Sequence, residues 1–365
     1  MAPGGKAASL GGNGGNGARA VAPGGQLPSL TGLRWVAAFL VFGFHLQIVG
    51  WFPDGVAARV QERLFAAGST GVSFFFVLSG FVLMWSSARE RTGEFWWRRF
   101  ARVYPLHLVT ALVVLAIGPV PGVRILVANL TLTQSWVPDI AYYQGVNAVS
   151  WTLSCEAFFY LLFPLLAAGV AGLRTDALVL VAVGAWLVTV AGPLVVPDGE
   201  WVFHWTPVGR LPEFACGLVL ACLTRKITPN LARLWGAAAV LTVAGYRFAG
   251  HVPEPWNVAA YTLPGFSLVL LAAARSDLAG RWTPWRNRVT VRLGELSFAF
   301  YLVHLLVLQR FDLLVGDADL STGRAAAVTL SALVLGVAAA WVLNVAVERP
   351  ARRMLLARAR VRSAG

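Results

Sequence analysis

Arg34 and His45 lie in the apolar stretch LTGLRWVAAFLVFGFHL, where an ionisable side chain is costly unless it serves a purpose. Eleven residues make about three helical turns, so both side chains leave one helix face about 16 Å apart along its axis. An imidazole in such a setting can take a proton from a hydroxyl, provided a second group holds its tautomer and stabilises the imidazolium. Glu156, in SWTLSCEAFFYLLFPLL, is the carboxylate that sequence position nominates for that task. It follows Trp151 by five residues, about 8 Å into a span entered from the outer surface. His45 is about 24 Å along a span entered from the inner surface, and in a hydrocarbon core about 30 Å thick the two depths agree. The expectation is a His45–Glu156 pair acting as general base.

Further polar groups sit where apolar ones would be cheaper. Ser79 and Gly80 fall near mid-depth in GVSFFFVLSGFVLMW, and Arg210 and Glu213 open an apolar run in GRLPEFACG. In LGELSFAFYLVHLLVL, Ser297, Tyr301 and His304 recur at offsets of four and three, which is one helical face. Arg98, Arg99 and Arg102 in EFWWRRFARVYPLH flank interfacial tryptophans as topology anchors do. Their guanidinium forks would also suit a ligand rich in phosphate. Cys155, Cys216 and Cys222 are an odd set in apolar segments without CxxC spacing, which gives neither a disulfide nor a metal site.

The elements that must hold these residues are membrane helices. The chain is 57% hydrophobic and only 13% charged, which excludes a water-soluble globular fold. Apolar runs of spanning length occur at 29–50, 70–87, 104–121, 151–171, 176–196, 207–223, 231–249, 257–274, 293–314 and 325–347, giving an all-α, polytopic membrane helix bundle of about ten transmembrane helices. The stretch 123–136 is too short and polar to be counted with them. The net charge of +13 does not point to nucleic acid, because the basic residues gather in 88–103, 224–230, 275–292 and the C-terminal end, as the positive-inside rule requires. With those regions cytoplasmic, parity closes only if 123–136 does not cross. Segment 122–150 is then an external loop containing a short helix or a re-entrant piece, tolerated where protein or a water-filled cavity covers its backbone, and both termini are cytoplasmic in a multi-pass cell-membrane protein. Residues 1–27 read as a disordered Gly-rich cytoplasmic tail, 28–350 as one membrane domain and 351–365 as a basic cytoplasmic tail.

Seven motifs in order carry a resemblance. Arg34 with His45, GVSFFFVLSGF at 71–81, RRFARVYP at 98–105, SWTLSCEAFFYLLFP at 150–164, RLPEFACG at 210–217, LGELSFAFYLVH at 293–304 and ERP at 348–350 are similar to those of the acyltransferase 3 family. That family of integral-membrane proteins includes O-antigen and peptidoglycan O-acetyltransferases and macrolide O-acyltransferases. The resemblance implies transfer of an acyl group, usually acetyl, from acyl-CoA on the cytoplasmic side to a hydroxyl of a carbohydrate or polyketide. Acyl-CoA (acetyl-CoA) is then a co-substrate, and no cofactor is bound permanently. It maps the family's essential Arg and His onto Arg34 and His45, its Glu onto Glu156 and its basic triplet onto Arg98, Arg99 and Arg102. The site expected from these and from the polar residues above has His45 and Glu156 as catalytic, with Arg34, Ser79, Arg98, Arg99, Arg102, Arg210, Glu213, Tyr301 and His304 as substrate-binding residues. Expected partners are acyl-CoA, the hydroxyl acceptor and the lipid bilayer, and the sequence is compatible with a homo-oligomer.

The chain departs from the family pattern at Ser73, where many members carry Asp, and at Cys155 and Ala157, where Val and an aromatic are common. The Ser73 change removes a carboxylate, so a second acidic role would fall to Glu213. Direct transfer and an acyl-enzyme on Ser79 or Cys155 both stay open. The rival from another class is a secondary transporter of a sugar or lipid, which would place paired interrupted helices in two related halves.

Overall fold

The computed structural model describes residues 25–86, 90–316 and 319–364; most of the Gly-rich segment 1–27 lies outside them. Among the described residues every regular element is helical, as the continuous apolar runs require, since a lipid-facing backbone must satisfy its own hydrogen bonds. In chain order the helices are α1 (Pro28–Val49), α2 (Val56–Phe65), α3 (Gly71–Ser86), α4 (Thr92–Ile117), α5 (Val123–Leu130), α6 (Ile140–Tyr143), α7 (Trp151–Ala171), α8 (Thr175–Val195), α9 (Gly199–Trp205), α10 (Leu211–Lys226), α11 (Leu231–Ala249), α12 (Leu263–Leu278), α13 (Arg288–Val315), α14 (Thr322–Leu343) and α15 (Arg349–Ala364). A π turn, Asn344–Glu348, joins the last two.

Seven segments are long and apolar enough to cross a membrane: α1, α2 with α3, α4, α7, α8, α13, and α14 with α15. The other three expected spans are α10, α11 and α12. Two of them have only 16 residues, and α11 carries Arg233 and Arg247. Their surroundings explain the difference. α10 is buried along nearly its whole length from Glu213 to Thr224, so it meets protein where a lipid-facing helix needs unbroken apolar length. α8 is its opposite, with Leu180, Leu187 and Leu194 exposed to the bilayer side.

Close backbone contacts fix the direction of each rod. A Cβ at Gly80 would stand 2.1 Å from the Phe214 carbonyl oxygen, and one at Gly217 would stand 1.9 Å from that of Val77, so α3 and α10 cross with backbones touching, as small residues permit; they run parallel, because Arg210 reaches Ser73 near the start of α3 and Arg225 reaches the Trp85 carbonyl near its end. α1 and α13 are parallel as well. Gly294 abuts the Thr31 carbonyl, His304 meets His45 and Trp51 Nε1 donates to Asp312 at 3.0 Å. A parallel pair is separated by an odd number of intervening crossings, and α3, α4, α7, α8, α10, α11 and α12 are seven helices, which satisfies the parity if each of them crosses. α5 has eight residues, about 12 Å of helix, too little to span a hydrocarbon core about 30 Å thick.

The segment before α7 is drawn into the bundle. Ser150 and Val149 are buried, the Tyr301 hydroxyl donates to the Val149 carbonyl and Asn147 donates to that of Leu302. α7 therefore begins inside the bundle, level with the middle of α13, under a cover formed by 123–150. α4 differs from its expected span. It starts at Thr92 rather than near 104, which makes Arg98, Arg99 and Arg102 helical.

Candidate active site

A cavity lies between α1, α3, α4, α7 and α13. Its polar lining is Arg34 from α1, Ser79 from α3, Arg99 and Arg102 from α4, Glu156 and Tyr160 from α7, and Tyr301 from α13, together with Thr152 and Ser297. The helices present these groups together because Arg99 and Arg102, and Glu156 and Tyr160, are spaced three and four residues apart on single helix faces. Glu156 accepts hydrogen bonds from the Tyr160 hydroxyl and, at 3.4 Å, from that of Ser79. Glu156, Arg102 and Glu348 lie within electrostatic range of Arg34. Asn344 in the π turn holds Glu348 at 2.8 Å. The buried Nε atoms of Arg34 and Arg99 have no hydrogen-bond partner among the described residues. Buried donors of this kind suit an oxygen-rich anion.

Arg98 is not part of this lining. It directly precedes Arg99 on α4 but is exposed, and Glu90 and Glu94 engage it at 3.3 and 3.7 Å. Arg210 and Glu213 are also elsewhere. Both are fully buried and form an ion pair of 3.1 Å, while a second Arg210 contact goes to Ser73 Oγ at 2.9 Å and the guanidinium lies over the rings of Phe76 and Trp151. They brace α10 against α3 and do not touch the cavity. Glu213 takes the position of counter-charge beside Ser73.

The His45–Glu156 pairing expected from depth is not formed. Glu156 is seven residues below Val149, and Val149 is level with Tyr301, itself three residues below His304. The separation from Glu156 to His304 is therefore about 15 Å along the bundle. The depth estimate placed Trp151 at the membrane surface, whereas the cover of 123–150 sinks it, and Glu156 descends to the level of Arg34. His45 has a different neighbour. Its Nδ1 lies 2.9 Å from the Val41 carbonyl and 3.2 Å from His304 Nε2. His45 is half-buried and His304 is buried behind it. Tyr301 links the two regions, lining the cavity with its ring 5.7 Å from that of His304.

Sequence reasoning passed over Tyr160, although its position four residues after Glu156 on a helix was a usable signal. Glu348 stood out only as part of the ERP motif at 348–350; its approach to Arg34 depends on the π turn and on the packing of the chain's two ends.

A polytopic helix bundle that buries arginines, carboxylates and a histidine pair defines an integral-membrane protein with a polar working site inside the bilayer region. The chain belongs to the acyltransferase 3 family, whose model, described as an acyltransferase domain, matches residues 27–345. It is 37% identical to "Acyltransferase MdmB" of Streptomyces mycarofaciens, over 90% of this chain and 92% of that protein. It is 27% identical to "Exopolysaccharide production protein ExoZ" of Rhizobium meliloti (strain 1021), over 84% and 95% of the two chains. It is also 27% identical to "Peptidoglycan O-acetyltransferase OatA" of Listeria monocytogenes, over 38% of this chain and 24% of that one. No solved structure matches it significantly. The protein is a multi-pass membrane enzyme that transfers acyl groups.

Proposed function

We propose that the enzyme moves an acyl group, acetyl first among candidates, from acyl-CoA to a hydroxyl of a carbohydrate or polyketide acceptor. The observation that carries this reading is the cavity in which Arg34, Arg99 and Arg102 converge. A hydrated polyanion cannot enter the hydrocarbon core, so the CoA phosphates stay with Arg99 and Arg102 near the inner end while the thin pantetheine arm extends inward. Past Tyr301 it approaches His45. There the acceptor hydroxyl gives its proton to His45 Nε2, its oxygen bonds to the thioester carbonyl carbon, the C–S bond breaks, and the leaving thiolate takes the proton back as CoA–SH. Glu156, bonded to Tyr160 and Ser79, supplies the counter-charge for Arg34 and fixes the cavity wall. The basic 275–292 and C-terminal segments support cytoplasmic termini and a cytoplasmic donor entrance.

The test is purified enzyme in nanodiscs with acetyl-CoA and candidate glycan and macrolide acceptors, followed by thiol release and product mass. Equimolar thiol and an acylated acceptor are expected. Movement of an acceptor across proteoliposomes without covalent change would favour the transporter reading instead.

A further inference from the structure

Ser297 and Tyr301 of the α13 motif line the cavity, but His304 does not: it is buried, and its ring is aimed at the one histidine that the proposed chemistry uses. Its Nδ1 lies 2.7 Å from the Tyr301 carbonyl oxygen and 3.3 Å from that of Phe300. A carbonyl oxygen only accepts, so Nδ1 carries the hydrogen and the neutral ring presents a bare lone pair at Nε2. That lone pair lies 3.2 Å from His45 Nδ1. His45 Nδ1 is 2.9 Å from the Val41 carbonyl oxygen, so it too must carry a hydrogen, shared between Val41 and His304. The His45 tautomer is thereby fixed with Nε2 unprotonated, and among the described residues nothing bonds to that atom.

We infer that His304 is the positioning residue for His45, standing where a carboxylate would stand in a Ser-His-Asp arrangement. The inference rests on the reading of His45 as general base. An acceptor at Nδ1 does two things for such a base: it holds one tautomer and it stabilises the imidazolium formed when Nε2 takes the hydroxyl proton. The packing supports a fixed orientation. Phe300 stacks on His304 with centroids 5.7 Å apart, Phe42 meets it edge-on at 6.4 Å and His45 crosses it at 5.0 Å. A neutral acceptor suits this depth because a carboxylate there would need charged partners of its own.

The test compares His45→Ala, His304→Leu and His304→Gln in nanodiscs, each verified as monodisperse. Leu fills the space without accepting a hydrogen bond. Gln can accept from His45 Nδ1–H with its amide oxygen and donate to the Tyr301 carbonyl with its amide nitrogen. Expected are loss of transfer in His45→Ala, a fall in kcat of roughly 10- to 100-fold in His304→Leu with both KM values little changed, and recovery of most of that loss in His304→Gln. If Leu does not fold, His304→Phe is read in the same way. Full kcat in His304→Leu beside an inactive His45→Ala would overturn this inference alone. A loss in His304→Leu that appears in KM, or that Gln does not recover, would overturn it too. Activity retained by His45→Ala would end both this inference and the base reading beneath it.

Discussion

Arg99 and Arg102 face the cavity from one side of α4, whereas Arg98 spends its charge on Glu90 and Glu94 at the surface. Exposed pairs of that kind contribute little, so the three arginines should separate by experiment. Arg99→Gln and Arg102→Gln are expected to raise the acyl-CoA KM about tenfold or more with acceptor KM unchanged, Lys should rescue only in part because it lacks the fork, and Arg98→Gln should leave donor KM within about twofold. A donor KM unaffected by loss of both Arg99 and Arg102 would reduce them to topology anchors. The same logic divides His45 from Glu156, which lie about 15 Å apart in depth. Glu156→Gln is expected to act through donor KM and protein yield, His45→Ala through kcat. A third residue-scale outcome concerns Arg210, fully buried against Glu213. Glu213→Gln leaves an uncompensated guanidinium and should cost about 3–5 kcal/mol, read as a lower Tm in detergent. Ser73 Oγ already touches Arg210 at 2.9 Å, so Ser73→Asp in the same chain should return most of the loss. The individual residues were legible from the sequence because ionisable groups in apolar runs stand out. Their pairing was not, since it depends on how deep each helix begins.

At the level of elements, two features govern that depth. α3 and α10 touch through Gly80 and Gly217, where any added carbon would meet a backbone carbonyl within about 2 Å. Backbone cannot give way as a side-chain tip can, so Gly217→Ala should lower Tm by the equivalent of about 1–3 kcal/mol or more. Gly184→Ala, with nothing within 4 Å of the new carbon, should be neutral. A larger effect at Gly184 than at Gly217 would contradict the packing described. The second feature is the outer cover. α9 is tied to the 250–262 segment by His204 Nδ1 and Glu254 Oε2 at 2.8 Å, and that hydrogen bond holds the Glu254 carboxyl below its ordinary range. A depressed carboxyl contributes stability above its unfolded-state pKa and loses it as pH falls through the folded value. Protection factors of the amides in 199–205, corrected for the intrinsic exchange rate, should accordingly fall below about pH 4, and Glu254→Gln should remove that pH dependence. Hydropathy marked the rods, but short covering elements such as α5, α6 and α9 leave no periodic signal long enough to place them.

Across the whole molecule, α1 with α13 and α3 with α10 run parallel. α10, α11 and α12 are helices where spans were expected, although length and composition do not mark them as spans. The helices were legible from hydropathy; ten crossings are the proposal that charge distribution and parity make jointly, and the parallel packing of α1 with α13 is what an odd number of crossings between them would give. The proposed cytoplasmic face rests on the basic segments. The 275–292 connection holds five arginines, and the chain end after Glu348 holds six. Each would have to be carried across the bilayer in the inverted arrangement, against a cost of about 2.5–3.5 kcal/mol per arginine at mid-membrane on insertion scales. Reporter tags at residue 20, within 276–290 and after residue 355 should all read cytoplasmic, while tags within 137–147 and 199–203 should read external. The tag at 137–147 decides most, because it follows α5 and precedes the sunken start of α7. A cytoplasmic signal there would make 123–136 a crossing, reverse α13 against α1 and separate His304 from His45. The topology and the proposed histidine pair therefore stand or fall on one measurement.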